Sequence, residues 1–217
     1  MRFTLVDLYS FSIVIAAIIG WVKFKKINPA YYPFIYCIWI GFLNEIIGYF
    51  LIYSGHSNAI NNNIYVLAEA LLITWQFKNW NLFHRFRGFF FALLVCFVLF
   101  WMGEIFFMKG IRYTISYFRI FYSFVVVLMS INIISGLLMK DRMNMLKNST
   151  FLICAGFIIY FTYKVLIGIF WLYGLGVNSQ FRMNVVWILI YINLFANLIY
   201  ALAILWMPAR QRFLLPS

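Results

Sequence analysis

Six ionisable side chains stand inside or at the edge of otherwise apolar stretches: Asp7, Glu45, Glu69, Glu104, Arg119 and Lys164. The stretch Phe34 to Tyr53, FIYCIWIGFLNEIIGYFLIY, is nearly unbroken in its apolar character, yet it carries Asn44-Glu45 near its middle. A helix of ~20 such residues crosses a hydrocarbon core of ~30 Å. A carboxylate in that core costs roughly 2.5–3.5 kcal/mol on insertion scales, so Glu45 should face protein or a wet cavity rather than lipid. Charges of both signs at similar depth are accommodated most cheaply by facing one another, as ion pairs or around water. The chemistry they suggest is recognition of a small polar or cationic solute. Glu45, Glu69, Arg119 and Lys164 form the expected core of the site, with Asn44, Tyr163 and Asn193 as hydrogen-bonding walls.

Simpler roles compete for the same residues. Glu104 can snorkel toward outer headgroups near Lys109 and Arg112, Arg119 can do the same on its long stem, and Asp7 can sit at the interface. Glu45 and Lys164 are too deep for that, and a structural Glu45–Lys164 ion pair is the sharpest alternative to a ligand site. Asn193 and Asn197, one turn apart, can join helices by hydrogen bonds. Gly41, Gly48, Gly136, Gly156 and Gly168 read as positions of close helix approach.

Composition says what must position these groups. Of 217 residues, 66% are hydrophobic, 23% aromatic and only 10% charged, and the mean hydropathy is +0.94. A soluble domain is usually about 25% charged and cannot hide this much apolar surface from water. The expected fold is therefore an all-α integral membrane protein, one domain over 1–217, built as a seven-transmembrane-helix bundle. Its spans read as approximately 5–22, 34–53, 60–77, 89–108, 114–139, 149–173 and 184–207. Short connections make neighbouring helices antiparallel. A membrane barrel would need alternating segments of ~10 residues, which are absent.

The formal net charge of +12 is explained by loops rather than by nucleic acid. One side of the expected bundle collects Lys23, Lys25, Lys26, Lys78, Arg85, Arg87, Lys140, Arg142, Lys147, Arg210 and Arg212; the other has Arg2, Lys109, Arg112 and Arg182. The positive-inside rule then places the N-terminus outside and the C-terminus in the cytoplasm. With that orientation all six ionisable residues fall in the outer half. The run Leu8 to Val22 has Asp7 before it and lysines after it, the wrong polarity for a cleavable signal. The inner membrane of a bacterium is the expected location.

No metal or cofactor is expected. HExxH and GxSxG are missing, and Cys37, Cys96 and Cys154 lie in apolar spans without metal spacing. A weak internal echo pairs Tyr9-Ser10-Phe11 with Tyr122-Ser123-Phe124, and Phe42, Glu45 and Gly55 with Phe161, Lys164 and Gly174. Taken literally, spans 1–3 and 5–7 are parallel repeats joined by span 4, a 3+1+3 plan known among transporters.

Three functions follow. The first is a non-enzymatic sensor or receptor that binds a small solute from outside and acts through a cytoplasmic signalling partner or a homo-oligomer. The second is a small-solute or ion transporter with Glu45 or Glu69 as a protonatable coupling group. The third, an intramembrane lipid-acting enzyme using those two carboxylates as an acid/base pair, has no nucleophile or metal motif behind it.

Overall fold

The computed structural model describes residues 11–84, 86–112, 116–140, 145–173 and 179–210. Seven α-helices occur among them: α1 (Ile13–Lys23), α2 (Tyr32–Tyr53), α3 (Ala59–Asn79), α4 (Arg87–Glu104), α5 (Tyr117–Lys140), α6 (Ser149–Tyr173) and α7 (Ser179–Leu205). Five are long and apolar enough to cross a bilayer, namely those containing Pro29–Tyr53, Gly88–Phe107, Tyr117–Met139, Ser149–Tyr173 and Met183–Leu205. The other two fall short of seven apolar spans for identifiable reasons. α1 is only 11 residues long, and α3 carries Asn61, Asn62, Asn63, Glu69 and Gln76 along its length. Asp7 and Gly174 lie outside the described residues. The chain is a helical, multi-pass membrane protein whose outward faces present large apolar side chains such as Trp21, Phe50, Phe91, Leu99, Phe107 and Leu166.

Helix contacts trace a closed ring. α1 packs on α2, α2 on α3, α3 on α5, α5 on α6, α6 on α7, and α7 returns to α1; α4 stands outside, against α3 and α5. The ring is fastened at the end that bears the lysines. Gln76 of α3 donates to the Ala30 carbonyl at 2.8 Å and accepts from the Phe34 amide at 2.9 Å, so one side chain serves the otherwise unpaired start of α2. The Tyr31 hydroxyl meets Thr150 at 2.8 Å and Ser149 at 3.1 Å, joining the starts of α2 and α6. Lys23 at the last turn of α1 donates to the carbonyls of Ile204 and Leu205, where the C-terminal end of the α7 dipole favours a cation. The chain after α7 then pairs with the loop after α1, through Asn28 N–H to the Pro208 carbonyl at 3.0 Å and Arg210 N–H to the Lys26 carbonyl at 2.7 Å.

Local sequence explains where helices begin and end. Asn148 accepts from the amides of Thr150 at 2.9 Å and Phe151 at 3.2 Å, a side-chain cap that starts α6. At the other end of the bundle Gly55, at φ +75°, closes α2 in a conformation that glycine adopts without strain. The three asparagines Asn61–Asn63, at the start of the expected span 60–77, belong to the first turns of α3. Asn61 donates to the Asn44 side chain of α2 at 2.9 Å, and Asn63 to the Ile111 carbonyl at 3.0 Å.

Of the glycines expected at close approaches, four are used and one is not. A methyl group on Gly156 would lie 2.5 Å from the Tyr200 ring, one on Gly168 2.5 Å from Ile120, one on Gly41 2.9 Å from Ile13, and one on Gly48 2.6 Å from Asn58. Gly136 has open space around it. Gly156→Ala should therefore destabilise the bundle by about 1–3 kcal/mol, because the buried Tyr200 ring must move. Gly136→Ala should be neutral or stabilise by up to about 1 kcal/mol through helix propensity. Thermal unfolding of both variants in detergent checks the contrast.

Candidate functional site

At the centre of the ring is a cavity of about 550 Å³. It is lined by one face each of α2, α3, α6 and α7, with Ile13 of α1 and Ser116 and Arg119 at the start of α5; α4 contributes nothing. The helical spacing is plain in α2, where Phe34, Cys37, Ile38, Gly41, Asn44 and Glu45 share one face, and in α6, where Phe157, Tyr160, Phe161, Lys164, Ile167, Gly168 and Trp171 do. Six of the seven residues singled out from sequence line it: Asn44, Glu45, Glu69, Arg119, Lys164 and Asn193. Tyr163 does not. Its hydroxyl donates to the Val185 carbonyl at 3.1 Å, in the seam between α6 and α7. Asn197 also lines the cavity, while its side chain donates to Ser12 at 2.8 Å and ties α7 to the start of α1.

The charges are unequally provided for. Glu69 is buried and has three partners: the Tyr65 hydroxyl at 2.8 Å, the Tyr122 hydroxyl, and the Lys164 ammonium at 3.0 Å. Lys164 also donates to the Tyr122 oxygen at 2.7 Å, and its charge lies over the rings of Tyr160 and Phe161 at 4.9 and 5.0 Å. A buried carboxylate is tolerable when its lone pairs are filled this way, and aromatic faces help hold the cation. Glu69–Lys164 is the one ion pair among the described residues. The Glu45–Lys164 strut considered from sequence is thus replaced by Glu69–Lys164, because Lys164 reaches across the ring from α6 toward the buried face of α3. Glu45, half-buried on the cavity wall, makes no hydrogen bond or ion pair with a described residue.

Arg119 also makes no ion pair with a described residue. Its Nε and Nη2 atoms are buried and unbonded, although the side chain lines the cavity. Glu104, by contrast, does not snorkel to the surface. It is 3% exposed, and its carboxylate accepts the backbone amides of Ser116 at 2.7 Å, Tyr117 at 3.1 Å and Phe118 at 2.6 Å. It caps α5 from the end of α4, where a negative charge meets the positive end of the helix dipole. The next turn of α4, Ile105–Lys109, widens to a π-turn.

The end of the cavity nearer the lysines is floored by aromatic rings. Phe34 stands edge-on to Tyr200 at 5.4 Å and to Phe157 at 5.9 Å, and Phe77 packs on Phe157 at 6.1 Å. Tyr160, Tyr200, Asn62 and Cys37 are cavity residues that sequence reasoning did not single out. Tyr160 and Tyr200 lie among many aromatics of similar spacing, and only ring closure shows which of them turn inward. No group of three or more His, Cys, Asp or Glu suited to a metal ion occurs among the described residues. What the arrangement can do is hold a polar molecule between a satisfied ion pair and two unsatisfied opposite charges.

Removing one partner of the buried pair should be severe. Lys164→Met strands the Glu69 carboxylate and should cost about 3–5 kcal/mol, most of it regained in Glu69→Gln/Lys164→Met. Glu45→Gln, which breaks no bond, should change stability by less than about 1 kcal/mol. Glu104→Ala leaves three amides unpaired at the buried start of α5 and should cost about 1–3 kcal/mol. Unfolding temperatures of the purified variants in detergent, with the double mutant included, check all three statements. No family model matches this chain, and neither a curated protein nor a solved structure matches it.

Proposed function

We propose that the chain crosses the bilayer seven times, N-terminus outside and C-terminus cytoplasmic, and binds a small polar solute in the central cavity from the outer side. The observation that carries this is the cavity itself, with Glu45, Glu69, Arg119 and Lys164 on its wall. Unpaired charges are expensive at membrane depth and mark solute or ion sites. The orientation rests on the basic residues at the ends of α1, α3 and α7 and the start of α6.

Solute binding here acts as a sensor. The ties through Lys23, Gln76, Tyr31 and Asn28 hold the basic ends of α1, α2, α3, α6 and α7 together, and the aromatic floor lies between the cavity and that end. Passage of solute would have to break these contacts, whereas a shift of helices at the open end would not. The basic loops give a cytoplasmic partner, or a second copy of the chain, a surface to read.

One observation favours transport as the second reading. Exchanging α1, α2, α3 for α5, α6, α7 maps the ring contacts onto themselves: α1–α2 onto α5–α6, α2–α3 onto α6–α7, and α1–α7 onto α5–α3. Three pairs of cavity residues, 38 and 157, 41 and 160, 45 and 164, are each 119 positions apart. This agrees with a 3+1+3 repeat about an axis along the membrane normal, with α4 as linker.

A cysteine placed at Asn193, in a chain whose own Cys37, Cys96 and Cys154 are replaced by serine or alanine, should react with a small water-soluble thiol reagent added from outside. A residue inert from both sides of the membrane would sink the binding reading. Gradient-driven uptake of solute into proteoliposomes, abolished by Glu45→Gln, would put the transporter in place of the sensor.

A further inference from the structure

The cavity's charge account identifies the class of solute, an inference that rests on the binding role above. Its four ionisable wall residues are two acids and two bases. Glu69 and Lys164 neutralise each other at 3.0 Å, so neither is left for a ligand. What remains is Glu45 and Arg119, of opposite sign and without a described partner.

The unbonded atoms of Arg119 are informative because they are Nε and Nη2. These two N–H groups lie side by side on one edge of the planar guanidinium and point the same way. That edge receives the two oxygens of a carboxylate, or of a phosphate, in parallel hydrogen bonds. A buried guanidinium edge left empty carries a desolvation penalty, and an oxyanion removes it. A plain anion would leave the cavity with a net negative charge next to the bare Glu45 carboxylate. A molecule that also bears an ammonium group answers both residues and keeps the site neutral. We infer that the solute is a zwitterion, its oxyanion seated on the Nε–Nη2 edge of Arg119 and its ammonium held by Glu45. A free amino acid has this chemistry, and so does the phosphoethanolamine headgroup of a lipid. Asn44 and Asn193 also line the cavity and can give neutral polar contacts, and Ile38 and Ile167 an apolar one for a side chain.

The test is thermal stability and binding isotherms of the full chain in detergent. The probes are the proteinogenic amino acids, each beside its deaminated acid and its decarboxylated amine, together with glycerophosphoethanolamine, inorganic phosphate and a neutral polyol. Zwitterions should stabilise the wild type more than either half-molecule. Amino acids acting alone indicate a free solute, and glycerophosphoethanolamine acting alone indicates a lipid headgroup. Arg119→Lys keeps the charge, loses the paired edge and should weaken zwitterion binding by about tenfold or more. Glu45→Gln should remove the advantage of the zwitterion over the deaminated acid. Arg119→Gln should abolish the response while the empty protein unfolds at the wild-type temperature or higher, since no hydrogen bond is lost. A fall in that temperature would make Arg119 a structural strut and overturn the inference. So would stabilisation by amines, polyols or simple anions equal to that by zwitterions, or no stabilisation by any probe. Reactivity of a cysteine at Asn193 separates the two failures. If it reacts, solute binding stands and only the zwitterion is wrong; if it is inert, the binding role itself fails.

Discussion

Everything at the centre of this protein depends on one buried carboxylate having enough partners. Glu69 sits on the inward face of α3, and it is accommodated because Tyr65 comes from the same helix, Tyr122 from α5 and Lys164 from α6. Each of those groups is itself amphipathic, a long apolar body with a polar tip, so the hydrogen bonds are made without opening the packing. The result joins three helices through a single atom cluster. It also fixes the azimuth of each, since a rotation of α6 that removed Lys164 from Glu69 would leave a bare charge in a low-dielectric interior. The cavity is what lies beside that cluster once its geometry is set.

The two ends of the bundle are held differently, and the difference follows from residue type. At the basic end, side-chain amides and hydroxyls such as Gln76, Tyr31 and Ser149 bond directly to backbone or to each other. Where lipid offers no hydrogen bonds, neutral polar groups of this kind are well suited to join helices. At the opposite end Asn61 bonds to Asn44 and Asn63 to the Ile111 carbonyl, and Glu104 is spent on the start of α5. The basic end is thus tied across five helices, and this is the physical basis for preferring a reading in which solute enters from the other end.

Much of this was legible in the residues. Six of the seven helices match the expected runs to within about five positions, because an apolar run bounded by charges, Pro, Gly or Asn has few alternatives in lipid, while α1 begins only at Ile13. That Glu45, Glu69, Arg119 and Lys164 would face one another was expected from cost alone; the four line one cavity. The roles of individual groups were harder to read. Tyr163 and Tyr160 differ by three positions in α6, and nothing in their spacing tells which joins the cavity and which joins the α7 seam. Glu104 lay within reach of a surface reading because its real partners are backbone amides, which sequence patterns do not display.

Composition and charge placement settled the solvent and the secondary structure: with so little charge the chain has to use lipid, and lipid demands helices whose own backbones are satisfied. They also set how far along its apolar run each ionisable group stands, at about 1.5 Å of helix per residue. Pairing is a different matter. Glu45 and Glu69 are chemically the same and both stand well inside apolar stretches, so Lys164 could have been matched to either. The choice fell to Glu69 because the ring order brings Tyr122 on α5 beside α3, completing a site around that carboxylate and leaving Glu45 and Arg119 unmatched. Neighbourhood and rotation are properties of the assembled bundle, and only the tertiary structure could decide them.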